Sequence, residues 1–569
     1  MRLTSRHTVL VVGGGGAACR AALEAAEAGV QVVMVLKGVL GESGATAYKV
    51  AEMAGFNVAD GQVDPLDSPE EHYKDIINAG QGMADPVLAR IVAEEAPQVL
   101  KTLQEWGVPF EKDRDGYLEF LSCFSTRPRT HVIKGHGEPI IKALVARIRK
   151  YSNIQVYENC LVTNLFVHDG ECIGAGIIDP AGDYRAIPAG AVILATGGAG
   201  QLFARNLNPP DICGDGYTLG YEAGAELVNM EFMQAGFGIV HPVVNILNAW
   251  IWSAHPPLTN ALGEHFLGKY LPGGVAVTEV MDAHARHFPF SSSDLSRYLE
   301  VAVQAEIVEG RGTGEGGVFL DLTGLTDSYL DTLPPGDDFR KMWPITRDYL
   351  QGKGVDVLEK PVQIACFGHA VNGGLKINER CQTTVAGLYA AGEVAGGPHG
   401  ADRLGGNMMV TCQVFGARAG RFAAQEAMNK NYISISESLF KKSRDEIFNG
   451  IGRRVDIKAL KIKLQSEAQQ KLLVRRNEAG LKEFIGVIHN LRGEIQKAPS
   501  AGPRKGLWEL MSLLRAGELM AMAALLRQES RGSHFRQDFP GRDDAKFIYP
   551  ITIVRNGDRP VAKITNVKY

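Results

Sequence analysis

The sequence predicts an α/β protein in which a ligand-binding sheet is interrupted by an inserted domain and followed by a helical one. Three observations predict it. The chain starts with a strand, a glycine turn, a helix and a second strand; two later apolar strands also run into glycines; and the texture changes after Phe237 and again after about Gln425. The expected division is 1–236 and 347–424 for the two parts of the sheet domain, 237–346 for the insertion and 425–569 for the helical region.

The first unit reads "TVLVVGGGGAACRAALEAAEAGVQVVMVLK". Its alanine-rich helix runs to about Ala28 and is stopped by Gly29, and the second strand ends near Lys37. The turn has the form Gly13-x-Gly15-x-x-Ala18, the small-residue pattern that lets a pyrophosphate sit on a helix N-terminus. Gly13, Gly15, Gly16 and Ala18 are therefore candidate dinucleotide-binding positions. The acidic residue that bonds the ribose in NAD-binding units is replaced by Leu36 and Lys37, which argues against NAD and makes Lys37 the residue at that position.

The second junction is "AVILATGGAG", where a strand ends in Ala195, Thr196 and Gly197, with Asp215 following at the head of a helix in "GDG". In the third, "GLYAAGEVAGG", Glu393 offers a carboxylate to a sugar hydroxyl. It leads into "GGPHGADRLGGNMM", where bare backbone at Gly406, followed by Asn407, adjoins Arg403, a cation that cannot lose its proton. That loop suits contact with a ligand through its main chain and with an anion through its arginine.

Composition limits the partners. A formal net charge of -4, with acids and bases interspersed, gives no footprint for nucleic acid. The eight cysteines contain no C-x-x-C pair, so neither zinc nor an iron–sulfur cluster has ligand spacing, and a cluster would have to come from another subunit. His255, His265, His284 and His287 also fit no metal motif, and no metal is expected. Unpaired thiols, the early first strand and the lack of an ~18-residue apolar run make the cytoplasm the expected location, with any membrane association through partner subunits.

Taken in chain order, the Gly13 turn, "ATGG" with "GDG", and "GLYAAGEVAGGPHGADRLGGN" resemble the flavoprotein family of succinate dehydrogenase and fumarate reductase flavoprotein subunits and L-aspartate oxidase. The likeness extends to "ESRGSHFRQDFPGRDD" near the C-terminus. It implies a two-dinucleotide-binding-type FAD domain, an α+β capping domain over the isoalloxazine and a C-terminal helical domain. It further implies that Arg403 binds a substrate carboxylate, that His369 in "GHAVNGG" is a second ligand to it, and that a cap arginine delivers a proton. Arg297 is the best match to that arginine and Arg286 the reserve.

The chain departs from the family in ways that matter. Gly44 stands close to the position where succinate dehydrogenases attach FAD to a histidine, so the expected FAD is noncovalent. "NMEFMQAGFGIVHPVVN" places Gly236, or a displaced His241, where the family has a histidine, and "IWSAHPPLTNALGEHF" replaces a Thr-Glu pair. The expected activity is oxidoreduction of a 2-enoate or dicarboxylate; the alternatives are an amino-acid oxidase and a flavin electron-transfer subunit of an iron–sulfur complex.

Overall fold

The computed structural model describes residues 4–565 except Arg6, Glu52, 113–115, 335–336, 431–432 and Pro503. A five-stranded parallel sheet runs in the order Leu388–Ala390, Ala191–Leu194, Thr8–Val12, Gln31–Val35 and Ile154–Tyr157. Its strands are nearly all apolar because a parallel sheet is covered on both faces, and Val9, Leu10 and Val11 are fully buried. Val12 pairs with Leu194 and Leu194 with Ala390. The three strand-to-glycine junctions consequently leave the sheet side by side, at the switch point where α/β sheets hold ligands.

Helix Gly16–Glu27 packs against helix Asn407–Asn429 through small residues. A Cβ on Gly416 would lie 2.8 Å from Ala17 O, and one on Gly420 2.3 Å from Ala21 O, so the backbones meet directly. This contact fixes the loop that precedes Asn407 relative to the first glycine turn.

The cap is built on an antiparallel sheet ordered Asn245–Ile246, Met233–His241, Val362–Val371, Val318–Leu320 and Leu258–Thr259. The expected domain limits fall inside elements. Met233–His241 straddles 236/237, helix Asp338–Gly352 straddles 346/347, and helix Asn407–Asn429 straddles 424/425. A strand or helix that passes from one unit to the next keeps its apolar pattern, so composition shows no break there.

Helices Glu437–Ile451, Ile457–Lys471, Glu478–Lys497 and Lys505–Leu526 form the C-terminal region. The chain then returns to the body, where strand Ile551–Asn556 pairs with Leu227–Val228. Among the described residues no helix is long and apolar enough to cross a membrane.

The "ESRGSHFR" stretch locks these parts together. Arg527 bonds Glu231 Oε1 at 2.7 Å and Glu529 Oε1 at 2.9 Å, Arg531 bonds Glu529 at 2.7 Å, and all four side chains are fully buried. Removing one member strands opposite charges in the interior. Arg527→Ala is expected to lower stability by about 3–5 kcal/mol, read as a reduced denaturant midpoint; an unchanged midpoint would show that the network carries no such load.

Candidate active site

A cavity of about 900 Å³ opens along the three glycine junctions and continues under the cap. Gly13 has φ +127°, and a Cβ there would lie 2.2 Å from Ala195 O, so only glycine allows the first turn to lie on the second junction. A Cβ on Gly15 would meet nothing closer than Thr46 Oγ1 at 3.7 Å and would instead occupy the cavity. Helix Gly16–Glu27 has no side-chain cap from Gly15, and Thr46 Oγ1 accepts from Gly16 N at 3.1 Å. An open helix N-terminus beside bare backbone is the cradle a pyrophosphate requires.

Gly13, Gly15, Gly16, Lys37, Ala195, Thr196, Gly197, Asp215, Glu393, Arg403 and Gly406 all line this cavity. Two expected positions do not. Ala18 is fully buried in the core and Ala17 lines the cavity instead, because the third small residue of the turn serves helix packing. Asn407 turns away: its Oδ1 accepts from Asn57 Nδ2 at 2.8 Å and His72 Nε2 at 3.0 Å, which anchors the helix that follows the arginine loop.

Lys37 donates to Asp215 Oδ2 at 2.6 Å and lies 3.2 Å from Glu509 Oε1 on the C-terminal helix. Burial opposes its charge, but Asp215 and then Glu509 hold it above the usual lysine range. Burial likewise pushes Glu393 up to about 7, while its Oε1 accepts from Val371 N at 2.9 Å.

The other end of the cavity is organised by Arg403, which is 5% exposed. Its Nε donates to Gln234 Oε1 at 3.0 Å, Nη1 to Leu404 O at 2.9 Å, and Nη2 to His369 Nε2 at 3.3 Å. Burial, then the Arg403 charge and His136, push His369 down to about 3, so it is neutral and accepts that bond. Among the described residues no carboxylate lies within ion-pair distance of Arg403. A buried guanidinium bonded only to neutral acceptors favours an anion delivered by a ligand.

The cap wall differs from expectation. Arg297 is held by Ser292 O at 2.9 Å and Tyr298 OH at 3.2 Å and does not line the cavity. Arg286 does, exposed at its edge. His241 is exposed at a strand end, whereas Gly236 is buried and a Cβ on it would lie 2.5 Å from the Phe288 ring. Phe288 thus fills the space opened by the missing side chain and packs edge-on against His369, with centroids 5.3 Å apart. Of the cap histidines, His255 pairs with Asp282, His284 with Glu300 and His287 with Asp294, and the rings of His284 and His287 stack with centroids 5.8 Å apart.

Sequence reasoning missed Gln234, Phe288, His136 and Cys123, which support Arg403 or line the cavity. Gln234 carried a signal, since it lies in the "EFMQ" segment already matched to the family; Phe288 follows Arg286 and His287 with nothing to mark it, and His136 and Cys123 lie outside the quoted motifs.

Residues 8–409 match the model described as FAD binding domain, and 461–569 match Fumarate reductase flavoprotein C-term. The chain belongs to the fumarate reductase and succinate dehydrogenase flavoprotein family. It is an FAD-dependent oxidoreductase, and the cradle around Gly13 and Gly15 fits that cofactor. It is 34% identical to one of the subunits of the fumarate reductase (CoM/CoB) of Methanothermobacter marburgensis over 94% of each chain. It is 29% identical to the L-aspartate oxidase of Streptomyces coelicolor, covering 97% of this chain and 92% of the relative. In structure it resembles Sdh1 of Mycobacterium smegmatis in complex with UQ1, with a TM-score of 0.83, 27% identity, and coverage of 99% and 96%.

Replacing Arg403 separates the two ends of the cavity. Arg403→Gln is expected to keep bound FAD and to reduce kcat/KM at least about 100-fold, the scale of a lost charge-assisted anion contact; flavin loss, or turnover within a few-fold of the wild type, would contradict the clamp.

Proposed function

We propose that this flavoenzyme reduces, or in reverse forms, a carbon–carbon double bond conjugated to a carboxylate. The observation that carries the reading is the buried Arg403, without a carboxylate partner among the described residues, on the cavity that fits FAD. The substrate carboxylate takes the open side of Arg403, with His369 as a neutral second contact. Clamping it fixes the alkene against the flavin and draws the developing enolate charge toward the guanidinium. Bound FAD supplies or takes up the electron pair as a hydride equivalent.

A proton must reach the neighbouring carbon. Of the two arginines the sequence offers, we assign the step to Arg286, which lines the cavity, rather than Arg297, which is tied to Ser292 O and Tyr298 OH. A guanidinium at the cavity edge needs closure of the cap over the substrate to exclude water. The lining also includes the apolar side chains Phe124, Trp250, Phe288 and Met342, which suit a 2-enoate with an apolar far end.

The FAD is held without a covalent bond, since Gly44 stands where the family's attachment histidine is expected. Electrons come through a partner with an iron–sulfur cluster or another redox group. That fits a chain whose eight cysteines include no C-x-x-C pair and a relative named as one subunit of its enzyme. L-aspartate oxidase relatives support a second reading, oxidation of an amino acid by oxygen.

Anaerobic photoreduction followed by a panel of fumarate, crotonate, cinnamate and imino acids tests both. Rapid return of oxidised flavin with an apolar 2-enoate, at least about tenfold faster than with fumarate, is expected from a pocket with one carboxylate clamp. Reoxidation by oxygen alone, with peroxide formed from aspartate, would replace this reading by the oxidase. Arg286→Lys should then depress kcat far more than KM, and Arg297→Lys should leave kcat within a few-fold; the opposite ranking would return the proton to Arg297.

Acid precipitation checks the attachment. All the flavin is expected in the supernatant, and flavin retained in the pellet would contradict noncovalent binding.

A further inference from the structure

Away from the flavin cavity, three side chains from distant parts of the chain meet. Glu119 and His131 are direct partners across antiparallel strands Glu119–Phe120 and Thr130–Lys134, and Asp60 follows the strand Met53–Asn57 that lies on the other side of His131. The side chains are 3%, 0% and 11% exposed for Glu119, His131 and Asp60. One ligand atom from each lies within 4.8 Å of the other two.

The hydrogen bonding around His131 leaves a lone pair facing this cluster. His131 Nδ1 lies 3.2 Å from Arg129 O, and a carbonyl can only accept, so Nδ1 carries the proton and Nε2 is bare. Nε2 lies 3.1 Å from Glu119 Oε1 and 3.6 Å from Asp60 Oδ2, yet both Nε2 and Oε1 are buried without a hydrogen-bond partner. Among the described residues no lysine or arginine reaches either carboxylate, because nearby Arg129 is bound to Asp67 and Asp75 and Arg127 to Asp64. Asp60 accepts from Gln62, at Oδ1 from the backbone N–H at 3.1 Å and at Oδ2 from Nε2 at 2.8 Å, and each oxygen keeps a further lone pair; between Glu119 Oε1 and His131 Nε2 the described residues place no donor.

A shared cation explains these distances better than a shared proton. With metal–ligand bonds near 2.1 Å, neighbouring ligand atoms are about 3.0 Å apart in octahedral and about 3.4 Å apart in tetrahedral coordination. Each neighbouring oxygen then lies roughly 35–45° off the imidazole lone-pair axis, which is why such a contact is short without having hydrogen-bond geometry. Imidazole Nδ1–H donating to a backbone carbonyl is also the arrangement that orients a ligating histidine.

We propose that Asp60, Glu119 and His131 bind one divalent transition ion, of the Zn²⁺ or Mn²⁺ type, outside the flavin site. Two carboxylates balance its charge, and one imidazole with two carboxylate oxygens suits ions of borderline hardness. The ion ties the loop after Met53–Asn57 to the strand Glu119–Phe120. That strand continues directly into Phe120–Cys123, which lines the substrate end of the cavity. Its role is structural, and it does not depend on which substrate the enzyme takes.

The FAD-loaded protein would be stripped with chelator, loaded with Zn²⁺ or Mn²⁺ alone, desalted and assayed for bound metal and thermal midpoint. One equivalent per chain with a raised midpoint is expected for the wild type. Glu119→Gln and, at the more open edge, Asp60→Asn should each retain less than about a tenth of that metal, since loss of even an outer partner costs roughly 10–100-fold in affinity. Flavin absorbance at the wild-type level verifies that the variants are folded. Retention of neither ion by the wild type, or equal retention by both variants, would overturn the site.

Discussion

The structure depends on keeping the Arg403 guanidinium charged inside the protein. Its three hydrogen-bond partners come from different places: Gln234 from the first strand of the cap sheet, His369 from the strand paired with it, and Leu404 from its own loop. The cap sheet therefore supplies two of the groups that hold Arg403 as well as the roof. Because these partners are neutral, the guanidinium keeps its positive field for a ligand while its own N–H groups are satisfied.

The loop around Arg403 is supported from behind. Ser533 Oγ donates to Ala401 O at 2.9 Å, and Ser291 Oγ donates to Asp402 Oδ2 at 2.7 Å. Burial pushes Asp402 up to about 7, and its Oδ2 is taken up by Ser291 and Gln81 rather than by Arg403. Gly236 and Phe288 show the same economy on the other side: the bare position on the strand leaves room for an aromatic ring from the loop, and that part of the wall is apolar.

Much of the fold was legible because its signals are local. The βαβ unit at Thr8 and the junctions at Ala195 and Gly392 each combine a strand with glycines in a few consecutive residues, and strand register alone brings them together. Arg403 and His369 were legible through the family motifs, and the structure places them 3.3 Å apart. Arg297 opens its helix, and its side chain ends on Ser292 O, a contact between neighbours in the chain that no motif displays. Phe288, His136 and the Asp60–Glu119–His131 cluster left no trace in the sequence, since each depends on tertiary contacts across long separations.

The return of the chain into the body after the helical region bears on how the protein is made. Glu509 reaches Lys37, Ser533 holds Ala401, and strand Ile551–Asn556 adds to a sheet begun at Leu227. While the ribosome is still translating the stretch from Glu509 onward, the Arg403 loop lacks its rear support and the sheet at Leu227 lacks the strand Ile551–Asn556. The nascent enzyme thus acquires its finished cofactor and substrate sites only once that stretch has emerged. A premature stop codon between Glu509 and Ile551 removes the foundations of an active site whose own residues were all made long before.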